Sequence, residues 1–109
     1  MKTTKYYHKN SDVVAFKRIY DEYGVWFEST YDTMGKKLTH KDSFGFWEEA
    51  TYDERENMLT YKNSYGDWYE FTYDEIGDKL TYKDSYGFFE IKGKEVTEEE
   101  FNNFLKYKQ

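Results

Sequence analysis

The chain has no cysteine and no proline among its 109 residues, and few leucines, isoleucines or valines. Without thiols there is no disulfide and no thiolate metal site. No apolar run comes near the roughly twenty residues a membrane helix needs. The N-terminal stretch Met1-Lys2-Thr3-Thr4-Lys5-Tyr6-Tyr7-His8 lacks the apolar core of a secretion signal, so the cytoplasm is the expected location. An excess of cations is missing too. The net charge is −6 and the pI about 4.9, which counts against direct binding to DNA or to an anionic membrane and favours a basic partner surface. There is no Gly-rich phosphate loop, no Gly-x-Ser-x-Gly and no His-Glu-x-x-His. No enzyme class is suggested, and no cofactor is implied.

What the chain does have is rings. Charged residues make up 35% of it and the mean hydropathy is −1.11, values that alone describe a disordered chain. Thirteen Tyr, nine Phe and three Trp reverse that reading. Aromatic side chains bury much area while keeping a polar tip wet.

The rings recur with the chain. Thr30-Tyr31-Asp32, Thr51-Tyr52-Asp53 and Thr72-Tyr73-Asp74 repeat every 21 residues. Leu38-Thr39-His40-Lys41, Leu59-Thr60-Tyr61-Lys62 and Leu80-Thr81-Tyr82-Lys83 follow with the same period, and Trp26, Trp47, Trp68 and Phe89 share one column. Each unit divides into halves that carry Asp/Asn-x-x-Gly, at Asn10, Asp21, Asp32, Asp42, Asp53, Asn63, Asp74 and Asp84, with Val13 and Glu56 replacing Gly in two of the eight. The Asp or Asn side chain accepts from a backbone N–H two residues on, and the Gly takes the left-handed conformation that closes a type I turn with a G1 bulge. Five to seven residues of strand composition lie between turns, so eight turns predict about nine strands in an antiparallel meander. At ~4.8 Å per strand, an open sheet would be about 40 Å wide. The pattern leaves an open, rolled or barrel-like sheet undecided.

Alternation predicts two faces. Leu38, Leu59, Leu80, Phe27, Tyr61, Tyr69, Phe71, Tyr82, Tyr31, Tyr52 and Tyr73 form an aromatic face. Trp, Glu, Thr and Lys form the other, with Lys79, Thr81 and Lys83 together on it and with Glu28, Glu49 and Glu70 placed to pair with neighbouring lysines. Lys92-Gly93-Lys94 reads as a turn after the strand Phe88–Ile91. Thr97-Glu98-Glu99-Glu100 reads as a capping box opening a helix over 97–109, whose Phe101, Phe104 and Leu105 share a face for docking on the sheet. The expectation is one domain: a β-hairpin repeat sheet over 1–96 and a C-terminal helix over 97–109.

Tyr31-Asp32…Gly35…Leu38-Thr39…Gly45 and Tyr73-Asp74…Gly77…Leu80-Thr81…Gly87 resemble the YD (tyrosine–aspartate) repeats of Rhs-type proteins over roughly residues 20–90. Tyr52-Asp53…Leu59-Thr60…Gly66 matches with Glu56 at the first Gly. Lys36-Lys37 and Asp78-Lys79 hold one residue more than the family spacing. The resemblance implies a hairpin-repeat β-strip. About three units are too few for the shell that large members of the family build.

Candidate chemistry is thin. His40 stands where Tyr61 and Tyr82 stand, a repeat variant, and His8 has no evident partner. One regular carboxylate per turn falls short of the six to eight oxygens calcium takes. Glu48-Glu49 and Asp53-Glu54-Arg55-Glu56 read as solvated strand and turn rather than a catalytic acid pair. The leading contact residues are Trp26, Trp47, Trp68, Glu28, Glu49 and Glu70. They suit a non-enzymatic protein-binding module with a larger, basic partner, which includes a nucleoprotein effector. A small phage or mobile-element inhibitor of a host defence nuclease, of the anti-CRISPR type, has this profile. Carbohydrate binding by the Trp row and a structural YD-repeat scaffold are the alternatives. An unpaired sheet edge would also allow a homodimer.

Overall fold

The structure, a computed structural model, describes residues 1–107. Ten strands follow one another in a single antiparallel meander: β1 (Lys2–Tyr7), β2 (Val14–Tyr20), β3 (Trp26–Tyr31), β4 (Lys37–Asp42), β5 (Trp47–Tyr52), β6 (Met58–Asn63), β7 (Trp68–Tyr73), β8 (Lys79–Asp84), β9 (Phe89–Ile91) and β10 (Lys94–Val96). A helix, α1 (Glu98–Tyr107), ends the described chain. The last two residues of the helix expected over 97–109 lie outside the described residues. The sheet is open: β1 and β10 are its two edges. The molecule measures 54 × 33 × 18 Å, a plate one sheet thick. No helix among the described residues is long and apolar enough to cross a membrane.

Seven turns are built alike, six capped by an aspartate and one by an asparagine. Oδ1 of Asp21, Asp32, Asp42, Asp53, Asn63, Asp74 and Asp84 accepts from the backbone N–H groups two and four residues on, at 2.8–3.3 Å. Two backbone bonds close each turn, as in Asp32 N–H to Lys36 O and Gly35 N–H to Asp32 O. The residue three after the cap has positive φ in every case, and at Asp53 that residue is Glu56, at φ 68°.

Two turns differ from the sequence pattern. In the first, His8 rather than Asn10 opens the turn, since His8 N–H bonds Val13 O and Ser11 N–H bonds His8 O. Asn10 instead takes the left-handed position, at φ 57°. The His8 ring also has a partner, donating from Nε2 to Tyr31 O at 2.8 Å. In the last, Lys92 and Gly93 both have positive φ, the geometry of a two-residue hairpin. That hairpin makes Lys94–Val96 a tenth strand, where the sequence had suggested about nine. The three-residue strand is too short to show alternation.

A bulge in each repeat corrects one facial assignment. Tyr31, Tyr52 and Tyr73 pair with Lys37, Met58 and Lys79, while the preceding threonines pair with Thr39, Thr60 and Thr81. Leu38, Leu59 and Leu80 are thus the extra residues. Lys79 therefore leaves the face of Thr81 and Lys83. It lies on the aromatic face, with Nζ 2.7 Å from Glu90 Oε1 and 5.4 Å from the centre of the Tyr82 ring.

Among the described residues no large side chain is fully buried, and Phe101 is the buried hydrophobic residue. Stability comes from lateral contact within each face. On the aromatic face Tyr61 stacks on Tyr69 at 5.3 Å, Tyr69 on Tyr82 at 6.3 Å, and Tyr82 tilts against Phe71 at 5.0 Å. His40 lies between Phe27 and Phe46.

Glu56→Gly removes a strained left-handed residue from an exposed turn. It is expected to stabilise the protein by about 0.5–1 kcal/mol, the left-handed cost less the entropy of Gly, seen as a higher urea midpoint with unchanged slope. Stability is also expected to fall at both pH extremes. Backbone N–H groups of Asn57 and Arg55 lower the Asp53 pKa. Burial raises that of Asp84, but bonds from the Tyr82 hydroxyl and the Phe88 and Tyr86 amides outweigh it and leave the carboxyl low. Burial, then the bond to Asp84, raises the Tyr82 phenol. A lowered carboxyl stabilises the fold above its unfolded value and loses that as pH falls below about 4. A raised phenol stabilises below its unfolded value and loses that above about pH 10. Asp84→Asn, which copies Asn63, should flatten the acid limb of Tm against pH while the turn still forms.

Candidate functional site

The six sequence candidates lie together on the face opposite the aromatic one. Trp26, Trp47 and Trp68 open β3, β5 and β7, and a serine of the next turn at the same end of the sheet fixes each. Ser43, Ser64 and Ser85 donate their backbone N–H to the carbonyl oxygens of Trp26, Trp47 and Trp68 at 2.9–3.0 Å. Their Oγ atoms accept from the same tryptophans' N–H at 3.1–3.2 Å. This clamp was readable as a serine recurring every 21 residues, though sequence alone gave it no role.

The glutamates are not free anions. Glu28 takes Arg18 at 2.9 Å and Lys41 at 3.5 Å, Glu49 takes Lys62 at 3.4 Å, and Glu70 takes Lys83 at 3.5 Å. Register explains this, for Arg18, Glu28, Lys41 and Trp47 stand opposite one another across β2 to β5, as do Glu49, Lys62 and Trp68 across β5 to β7. Exposed pairs of this kind contribute little each. They neutralise the face and bring two of the cations over indoles, with Arg18 5.1 Å from the Trp26 ring and Lys83 5.9 Å from Trp68. Facing threonine hydroxyls, Thr30 with Thr39, Thr51 with Thr60 and Thr72 with Thr81, bond at 2.5–2.6 Å.

Each repeat thereby makes the same shallow groove, floored by Thr and walled by Lys and an aromatic residue: Thr39, Lys41 and Trp47; Thr60, Lys62 and Trp68; Thr81, Lys83 and Phe89. The first two are open, with volumes of about 300 and 600 Å³. Trp47 and Trp68 there are 39% and 37% exposed. The third is filled from within. Phe101 of α1 stands 5.2 Å from the Phe89 ring and 6.0 Å from Lys83 Nζ, and is only 3% exposed. Thr81 is 3% exposed, while its equivalent Thr60 is exposed.

The helix forms because Thr97 and Glu100 cap it reciprocally, Glu100 N–H to Thr97 Oγ1 at 3.1 Å and Thr97 N–H to Glu100 Oε1 at 3.0 Å. Of its expected docking face, Phe101 is buried, Phe104 half-buried, and Leu105 43% exposed. The described residues hold no group of three or more His, Asp or Glu arranged for a metal ion, and the turn carboxylates already accept backbone bonds. No protein-family model and no curated protein matches the chain.

Phe101→Ala should open the third groove. The expected loss is about 3 kcal/mol, with helix signal in circular dichroism melting before the sheet signal.

Proposed function

We propose that the chain is a non-enzymatic protein-binding module whose tryptophan face receives an aromatic side chain from a partner segment. One observation carries this reading: the chain's own Phe101 fills the groove of the last repeat, and the two equivalent grooves at Trp47 and Trp68 stand open. The internal contact supplies the template for an external one. Half-exposed indoles ringed by paired charges also have the composition of an interface centre with its polar rim.

The net charge of −6 favours a larger partner with a basic surface. Proteins that handle nucleic acid present such surfaces. An inhibitor that covers one of them, such as a mobile-element protein acting on a host defence nuclease, is the specific form of the proposal.

The test is affinity capture from host lysate with wild type and with Trp47→Ala/Trp68→Ala, each with and without RNase. One larger basic protein should be retained by wild type, resist RNase, and be lost at least tenfold by the variant. Trp47→Leu/Trp68→Leu, which keeps apolar bulk, controls for folding. Identical capture by all three proteins would overturn the assignment to this face.

A further inference from the structure

The turns alternate between the two ends of the sheet. At one end lie the turns 21–25, 42–46, 63–67 and 84–88, and the third residue of each is aromatic: Tyr23, Phe44, Tyr65 and Tyr86. They are 84%, 74%, 78% and 74% exposed. The turn itself does not ask for a ring there. At the opposite end the same position holds Met34, Arg55 and Ile76, with the same cap bonds.

The four rings form a strip. Each of the last three reaches back towards the preceding turn at that end: Phe44 lies 6.4 Å from Phe27, Tyr65 lies 5.3 Å from Phe46, and the Tyr86 hydroxyl donates to Asp67 Oδ1 at 2.6 Å. These contacts set the rings' direction and leave most of their area in solvent. The four turns hold five carboxylates, of Asp21, Glu22, Asp42, Asp67 and Asp84, and no lysine or arginine. Lys41, Lys62 and Lys83, which precede three of these turns, belong to the tryptophan face and are paired there with glutamates.

We propose that this acidic aromatic crest binds a basic, proline-rich segment of another protein in the polyproline II conformation. The first argument is spacing. Turns two strands apart stand ~9.5 Å apart, and a polyproline II helix repeats every three residues, ~9.3 Å. Successive rings therefore meet every third residue of such a segment. The second is chemistry. Rigid aromatic rows receive proline rings at little entropic cost to either side. The third is charge: Asp42 is turned inward beside His40, but a strip with no Lys or Arg and with the carboxylates of Asp21, Glu22, Asp67 and Asp84 favours Lys or Arg between the prolines. These 109 residues contain no proline, so they do not supply the segment themselves. The crest adjoins the tryptophan face, since Ser43, Ser64 and Ser85 of these turns hold the tryptophan backbones and Asn63, Ser64, Gly66 and Asp67 line the groove beside Trp68. But the four rings stand at the turn tips, and the proposal does not rest on the reading of that face.

The experiment titrates the full chain with a peptide of four Arg-Pro-Pro triplets, read by backbone amide shifts. The controls are the matching Arg-Gly-Gly peptide and a cello-oligosaccharide. Saturable shifts confined to the four turns are expected with the proline peptide. Phe44→Ala/Tyr65→Ala/Tyr86→Ala should weaken binding about tenfold or more, and Met34→Ala/Ile76→Ala, at the equivalent position of the opposite end, should leave it unchanged. Since the wild-type shift map locates the site by itself, the conclusion survives a poorly folded triple variant. Equal binding of the glycine peptide, which would make the effect charge alone, overturns the proposal. So does binding of the glycan in place of the peptide, or the absence of saturable shifts.

Discussion

The side-chain-capped turn is the constraint on which the rest of the molecule depends. In a sheet with one buried face, burial enforces register, because a slip of one residue turns every side chain over. Here both faces are wet and that penalty is weak. Register must be set by the turns, and one Asp or Asn side-chain oxygen on two backbone amides, with a left-handed residue closing the loop, defines it seven times. From that register follow the facing threonines, the glutamates opposite lysines and the tryptophans beside them. Glu56 marks how strict the geometry is, since it is held at positive φ where its neighbours use glycine.

A plate one sheet thick has almost no interior, so most inner-strand side chains are at best half-buried by their neighbours on the same face. This explains the composition. Leucine or valine on such a face would leave apolar surface open to water with no polar end. Tyrosine, threonine, lysine and glutamate cover the sheet with methylenes and rings while keeping a polar group wet. Tyr61 shows the principle, stacked on Tyr69 while its hydroxyl donates to Glu48 at 3.1 Å. The mean hydropathy that alone would describe a disordered chain is here the hydropathy of a protein that is nearly all surface.

The meander, its seven regular turns, the two faces and the capped helix were all legible, because each has a period or a local signature in the residues. What escaped has neither. The bulges at Leu38, Leu59 and Leu80 move Lys79 across the sheet, and a bulge shows only when two strands are laid side by side. The short β10 has no alternation to read. The opening of the first turn by His8 departs from the motif that marks the others. Openness was not legible either, since the same alternation serves a closed barrel. Of the candidate surface, the common face of the six residues and the pairing of the three glutamates with neighbouring lysines could be read, but the second partner of Glu28, Arg18, depends on cross-strand register, and the plugging of the third groove on where the helix falls. The aromatic tips at one end were visible as a period, yet alternation of turns between the two ends is what separates them from Met34, Arg55 and Ile76.

The helix explains why the repeat stops where it does. A further copy of the 21-residue unit would need a long strand beside β9 to extend the lattice. The chain instead folds back in two residues, runs the three-residue β10, and places Phe101 over Phe89. One buried ring covers the last groove where a further repeat would otherwise lie. Phe89 in the tryptophan column suits this role, for two phenyl rings tilted at 57° pack at short range without an indole N–H to satisfy. The terminal groove is thus used for closure, and the two internal grooves, which closure does not need, keep their tryptophans in solvent.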